Sequence, residues 1–203
     1  MPSSRPTHLI LIRHGETPWT RERRYQGRSD TSLTAQGIRQ SKKAAKKLRT
    51  FGIQVLYSSS LKRARQTAGV ISKMTRLPLR IDPRLNELSF GRWEGVRAVD
   101  LLKRKDPVFL QWSRGRIVTP PGGESLRHLR LRVSKFLKEC LRRHKGKTVA
   151  LVSHGGPIKV FIFTALGLPL RSLWSLRIDP ASMSVLTFCP HFTQLGRLNV
   201  PVD

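Results

Sequence analysis

Short apolar runs alternate with amphipathic stretches along most of the chain. The run "HLILI" (8–12) has the length and pattern of a strand buried on both faces. In "DTSLTAQGIRQSKKAAKKLRTFG", Ile38, Ser41, Ala45 and Leu48 share one helical face, and Lys42, Lys43, Lys46 and Lys47 lie off it. Thr34 is the expected N-cap of this helix and Gly52 its stop. "IQVLYSSS" (53–60) predicts a second strand that runs into a serine-rich turn. From Ser60, read as a cap, a second helix sets Ala64, Thr67, Ala68, Ile71 and Met74 at helical spacing. The clearest helix is "SLRHLRLRVSKFLKECLRRHKG". Its stripe is Leu126, Leu129, Val133, Phe136, Leu137, Cys140 and Leu141, with Ser125 as cap and Gly146 as stop. "KTVALVSHGG" is a third strand, followed by a helix at about 157–166 and a strand near 184–189.

This alternation argues for an α/β domain with a largely parallel sheet. The segment 78–121 is less periodic and holds two of the four tryptophans, Trp93 and Trp112. A short helix is expected near 96–104, and the whole segment reads as a lid-like insertion over a site. Trp93, Phe109 and Trp112 are assigned to its core rather than to substrate. No internal repeat is visible.

Composition narrows the class. A length of 203 residues suits one domain. The longest apolar stretch, "VFIFTALGLPL" (160–170), is too short and too broken by Gly and Pro for a membrane span. The apolar run at the N-terminus is too short for a signal peptide. Cys140 and Cys189 form no close-spaced pair and no zinc pattern, so both are expected to be reduced and buried. These features point to a soluble, cytoplasmic protein without membrane contact. The charge balance is unusual: 39 Lys+Arg against 12 Asp+Glu give a formal +27. Such a field attracts anions without choosing among them.

Two predicted strands end alike, "LILI-RHG" and "VALV-SHG". Ligands in open α/β sheets bind at the carboxyl ends of strands, which gathers Arg13, His14 and His154 around one opening. Gly15, Gly155 and Gly156 would allow close approach there. The second strand delivers "SSSLKRARQT" to the same edge. Lys62, Arg63 and Arg65 crowd the first turn of a helix, where the macrodipole disfavours cations. That is useful where an anion is held, and Arg63 is the one expected to face inward; Lys62 and Arg65 read as solvated. Glu87, from "LNELSFGRWEG", is the candidate acid, with Glu16 and Glu94 as competitors. His8, His128, His144 and His191 read as structural or surface residues.

The motifs "LIRHGET", "YQG", "SSSLKRARQT", "NELSFGRWEG", "GGES" and "VSHGG" occur in an order that resembles the histidine phosphatase superfamily, in its phosphoglycerate mutase-like branch. The resemblance spans about residues 8–188. It implies a three-layer sandwich and phosphoryl transfer through a covalent phosphohistidine. His14 then matches the nucleophile, Arg13 and Arg63 the phosphoryl-binding arginines, His154 the second histidine, and Glu87 the proton donor and acceptor. Gln26 and Gly27 match a loop at the substrate mouth, and Gly155 adjoins the phosphoryl site. Thr20 stands where asparagine is common, its hydroxyl still able to bind substrate. Arginines suit phosphate recognition and keep a nearby imidazole neutral. They can also stand in for magnesium, so neither metal nor cofactor is expected. The same cations are expected to keep Glu87 ionised until substrate binds.

"LSFGRWEG" after Glu87, with "RYQG" and "PPGGES", looks most like α-ribazole phosphatases and broad-specificity phosphatases. The expected activity is therefore hydrolysis of a small phosphorylated metabolite, with phosphoglycerate mutase as the alternative. The cross-class rival is a basic polyanion- or nucleic-acid-binding protein. No nucleic-acid motif accompanies the charge, so nonspecific polyanion binding is the most it implies. Oligomeric state is left open, a dimer included.

Overall fold

In the computed structural model, which describes residues 5–202, strand β1 (Thr7–Arg13) lies parallel to β4 (Thr148–Ser153) with Arg13 opposite Ser153. That register sets the two similar strand ends side by side. The His14 amide extends the pairing by donating to the Ser153 carbonyl at 3.0 Å. On the far side of β4, β2 (Val55–Ser58) and then β3 (Leu79–Ile81) continue in parallel. On the far side of β1, β5 (Met183–Phe188) pairs antiparallel with β1 and β6 (Thr193–Val200) antiparallel with β5, giving the order β3-β2-β4-β1-β5-β6. The sheet is thus mixed, with its parallel part at the functional edge.

Both faces of the central strands are covered, as the unbroken apolar runs require. Leu9, Leu11, Tyr57, Val149 and Leu151 pack under α6 (Leu126–Arg143) and α7 (Gly155–Ala165). Ile10, Ile12, Leu56, Ala150 and Val152 point the other way, under α2 (Ala35–Thr50) and α3 (Lys62–Thr75). This is the three-layer sandwich. Truncating one of these fully buried Leu or Ile residues to Ala costs about 2–5 kcal/mol.

Caps and stops work as the sequence suggests in α2 and α6. Thr34 Oγ1 accepts from the Gly37 amide, Ser125 Oγ accepts from His128, and Gly52 and Gly146 both have positive φ. In α2, however, Ile38 is exposed, and Gly37 and Ala44 join Ser41, Ala45 and Leu48 on the buried face. Ser60 does not cap α3, which follows Leu61 without a side-chain cap; its amide and hydroxyl both bind Asn86 instead. Helix α7 begins at Gly155, two residues before the expected start, with His154 at its N-cap position.

Within 78–121, residues Leu79–Ile81 belong to the sheet as β3. The expected short helix is α4 (Ala98–Lys103), followed by α5 (Pro107–Ser113). Trp93, Phe109 and Trp112 are buried and pack edge to face, with Trp93 5.2 Å from Phe109 and 5.7 Å from Trp112. Both cysteines are free; Cys140 is buried, with its thiol pushed up to about 12 by desolvation, but Cys189 is only half-buried. None of the described helices is long and apolar enough to cross a membrane.

Candidate active site

The carboxyl ends of β1, β2 and β4 open into a cavity of about 500 Å³. Arg13, His14, Thr20, Gln26, Arg63, Glu87 and Gly155 line it; His154 is buried beside His14 and Gly27 beside Arg63.

His14 is buried, and its Nδ1 lies 2.8 Å from the Gly15 carbonyl. A carbonyl only accepts, so Nδ1 carries the proton and Nε2 keeps its lone pair. Arg63 Nε donates to that lone pair from 3.2 Å. Desolvation first, then Arg63 and Arg13, hold the imidazole well below the ordinary histidine range, and it stays neutral. Gly15 serves the backbone rather than a ligand. A Cβ there would sit 2.5 Å from the Gly37 carbonyl oxygen, where the loop leaving β1 touches α2.

Arg63 is fully buried, the inward-facing member of its basic cluster. Its Nη1 donates to Ser29 O at 2.8 Å and its Nη2 to Gly27 O at 2.7 Å, which fixes the guanidinium. Desolvation lowers it to about 10, so it stays charged at neutral pH. Gly27 has φ 53 and lies so close to Glu94 that a Cβ would meet Oε1. Arg13 reaches Ile178 O through Nη1 at 2.6 Å, but its buried Nε has no hydrogen-bond partner. A buried cationic N–H without a partner is costly, and an anion would satisfy it.

Two acids face the cavity, Glu87 and Asp179, and Asp179 is held by Arg177 and Asn199. Glu87 is the one set beside the strand ends. Its carboxylate accepts from the Leu88 amide at 2.9 Å and the Gly156 amide at 3.1 Å. Burial is the largest influence and raises it above the ordinary carboxyl range, against the opposing pull of Arg63, Arg13 and Arg132. Burial therefore acts on Glu87 in the opposite sense to the cations and the Leu88 amide, and is the larger effect. The competitors are occupied elsewhere: Glu94 accepts from the Arg28 and Ser29 amides and the Ser29 hydroxyl, and Glu16 accepts from Thr34 Oγ1.

The Thr20 hydroxyl is spent closing α1 (Pro18–Arg21), where it donates to Thr17 O and accepts from Thr17 N. Gln26 Oε1 accepts from Thr17 and Thr31, so its oxygen is also committed to the loop. His154 lies with its ring 5.1 Å from that of His14, and its Nε2 is 2.8 Å from Ser59 Oγ.

Residues not singled out from the sequence complete the site. Arg132 on α6 donates to the carbonyls of Arg84 and Glu87 and pairs with Glu124 of "GGES", clamping the loop that carries Glu87. Ser59 and Asn86 stand behind His154. Lys159 projects into the cavity one helical turn beyond Gly155 and Gly156, its ammonium 5.6 Å from the Trp174 ring centre. Asn86 beside Glu87, and a lysine at that spacing on α7, were the available signals. Among the described residues, no three His, Cys, Asp or Glu side chains gather in a way that could hold a metal ion.

A neutral imidazole with an unprotonated Nε2, two arginines and a protonatable carboxyl at one strand edge form a set suited to phosphoryl transfer. A family model described as histidine phosphatase superfamily (branch 1) matches residues 9–201. The chain belongs to that superfamily. This histidine phosphatase is 39% identical over 188 residues to the "Probable phosphoglycerate mutase GpmB" of Enterobacter sp., covering 89% of this chain and 84% of that protein. It is 35% identical over 193 residues to "Phosphoserine phosphatase 1" of Hydrogenobacter thermophilus, covering 95% of this chain and 92% of the relative. The crystal structure of the α-ribazole phosphatase from Shigella flexneri superposes with a TM-score of 0.84 at 31% identity, over 97% of this chain and 99% of that one.

Proposed function

We propose that this histidine phosphatase is a phosphomonoesterase that hydrolyses a small phosphorylated metabolite through a phosphohistidine on His14. The observation that carries the reading is the unprotonated Nε2 of His14, its lone pair held by Arg63 Nε and its Nδ1–H anchored on Gly15 O. In the first step Nε2 attacks phosphorus and the ester P–O bond breaks. The leaving oxygen takes the proton of the Glu87 carboxyl group, whose hold on that proton burial strengthens. In the second step water attacks phosphorus, gives its proton to the Glu87 carboxylate, and the P–N bond breaks to release phosphate and neutral His14. Arg63 and the unpaired Arg13 Nε bind the equatorial oxygens, supplying fixed positive charge where negative charge spreads.

The cavity beyond the reacting atoms supports a bulky leaving group. Tyr25, Phe90, Trp112 and Trp174 line it, much as an aromatic or sugar-linked alcohol would need. An α-ribazole phosphatase-like substrate fits this description better than a three-carbon acid. We assign 82–121 the role of cover over this chamber, since Leu88, Phe90 and Trp112 come from it. The similarity to a protein named as a mutase keeps transfer between hydroxyls as a second reading. The free cysteines support a cytoplasmic location.

The test is a turnover panel of α-ribazole phosphate, 3-phosphoglycerate, sugar phosphates and aryl phosphates, run with a chelator. Hydrolysis of bulky esters that survives chelation and is abolished by His14→Ala is expected. Phosphoryl migration on 3-phosphoglycerate without phosphate release would favour the mutase. A strict magnesium requirement would overturn the mechanism. A main binding activity toward polyanions that outlives His14→Ala would favour the basic-protein rival.

A further inference from the structure

Behind the reacting pair, the hydroxyl of Ser59 has more neighbours than it has protons. Ser59 is fully buried just after β2, and its Oγ accepts from the Leu61 amide at 3.2 Å. The same oxygen lies 2.8 Å from Asn86 Oδ1 and 2.8 Å from His154 Nε2. The oxygen end of Asn86 is identified by the Ser60 amide, which donates to it at 2.9 Å. Two oxygens 2.8 Å apart need a proton between them, and only Ser59 can supply it. With that proton committed to Asn86, Ser59 Oγ can only accept from His154. Nε2 of His154 must therefore carry a hydrogen, and which nitrogen is protonated is set by the partner of the other. The second ring nitrogen, Nδ1, is buried with no hydrogen-bond partner.

We propose that Ser59 and Asn86 are positioning residues that lock His154 in its Nε2–H form, so that its open edge meets a phosphoryl oxygen only after Nδ1 takes up a proton on binding. The proposal rests on the reading that the transferred group sits against both histidines. The charged and titratable groups that act most on His154 are Arg63 from α3, His14 just after β1, Arg13 at the end of β1, and Arg132 from α6. These groups and burial keep the free ring neutral, and the nearby acid, Glu87, is held on the Gly156 amide two residues along the chain. A phosphoryl dianion reverses that balance. The proton comes from solvent or from the monoanionic ester, binds Nδ1 and is donated in a hydrogen bond to a phosphoryl oxygen; it leaves with phosphate. Ser59 holds the ring plane throughout, because it accepts from Nε2–H in both states.

Nitrogen-15 NMR of histidine-labelled enzyme tests this, with His154 assigned by His154→Gln and inorganic phosphate as the probe. The free enzyme is expected to show neutral His154 protonated at Nε2, and the phosphate complex a doubly protonated ring at neutral pH. A free-state Nδ1–H tautomer, or a ring that stays neutral in the complex, overturns the proposal. Ser59→Ala is expected to give a mixture of tautomers, while Ser59→Thr restores Nε2–H. A Ser59→Ala spectrum unchanged from wild type also overturns it. In kinetics, Ser59→Ala is expected to lower kcat about 10–100-fold with KM little changed, the range seen when the hydrogen-bond partner of a metal-bound histidine is removed. Turnover of an aryl phosphate by the wild type reports separately on the phosphatase reading, and the free-state tautomer is measured without any ligand.

Discussion

Arg63 Nε donates to His14 Nε2 from 3.2 Å, so the cation proposed to bind the phosphoryl group also occupies the lone pair proposed to attack it. Substrate must take over that hydrogen bond before chemistry begins. The other guanidinium nitrogens remain on Gly27 and Ser29 and hold the fork in place. Arg63→Lys cannot reproduce three donors in a plane. It is expected to lower kcat by about 10²–10³-fold, as removal of a fixed charge-stabilising donor does. Steady-state kinetics on an aryl phosphate checks this, and a loss under threefold would count against it.

Glu87 supplies a prediction in chemistry. Glu87→Gln is expected to cost about 10²–10⁴-fold in kcat for alkyl phosphates, whose leaving oxygen needs a proton. The loss should be far smaller in the first step with nitrophenyl phosphate, a good leaving group. Pre-steady-state bursts on the two esters separate the cases.

The same residue supplies a prediction in stability. Its pKa in the folded protein is raised above 4.5, so the protein binds that proton more tightly folded than unfolded. The associated stability is present in acid and lost as pH rises through the folded value. Glutamine never ionises and escapes that loss. Glu87→Gln is expected to raise Tm at neutral pH, with the gap closing below about pH 4. A gap that widened on acidification would contradict the assignment.

The buried histidines have the opposite sign. His14 and His154 are both held well below 6.5 when folded, mainly by burial. Their contribution is intact above about pH 6.5 and is lost as pH falls, because the unfolded chain then binds more protons. Wild-type Tm should drop between about pH 6.5 and 5, and His154→Gln should flatten that drop in a calorimetric series.

Adjacent glycines separate by what lies over them. A Cβ on Gly156 would meet Glu87 Oε1 at 2.4 Å, whereas one on Gly155 would sit 3.9 Å from Arg13. Gly156→Ala should therefore displace the acid and cost at least about tenfold in kcat, while Gly155→Ala stays within about threefold. Equal losses from both would show that Glu87 is not set by that contact.

Lys159 stands over Trp174 without an ion pair among the described residues, and desolvation lowers its pKa. Lys159→Met keeps the packing and removes the charge. It is expected to raise KM several-fold more for 3-phosphoglycerate, which carries a second anion, than for phenyl phosphate. Parallel rises would assign the lysine to the reacting phosphoryl group instead.

Arg13, His14 and His154 were legible because two apolar runs end in the same kind of residue, and a parallel register turns that likeness into proximity. Arg63 was legible as a cation at the wrong end of a helix. Ser59, Asn86 and Arg132 were not, because their significance arises from turns and a distant helix that no local pattern connects. Ser60 was misread as a cap because Asn86, 26 residues away, takes both its amide and its hydroxyl. The upward shift of Glu87 was not legible for a related reason: charge is visible in a sequence, but desolvation is not. Strand β3 has three residues, and β6 is largely exposed, so neither carries a strong apolar signature.

The central claim is the covalent intermediate at His14, and the most direct measurement is to trap it. Rapid quenching in base during turnover of an aryl phosphate by Glu87→Gln, followed by peptide mass spectrometry, locates any phosphoramidate. An acid-labile, base-stable phosphoryl group on His14 that is absent from His14→Ala is the expected result. Phosphate attached to His154 or Ser59, or turnover with no trapped phosphoenzyme in either the wild type or Glu87→Gln, would contradict it.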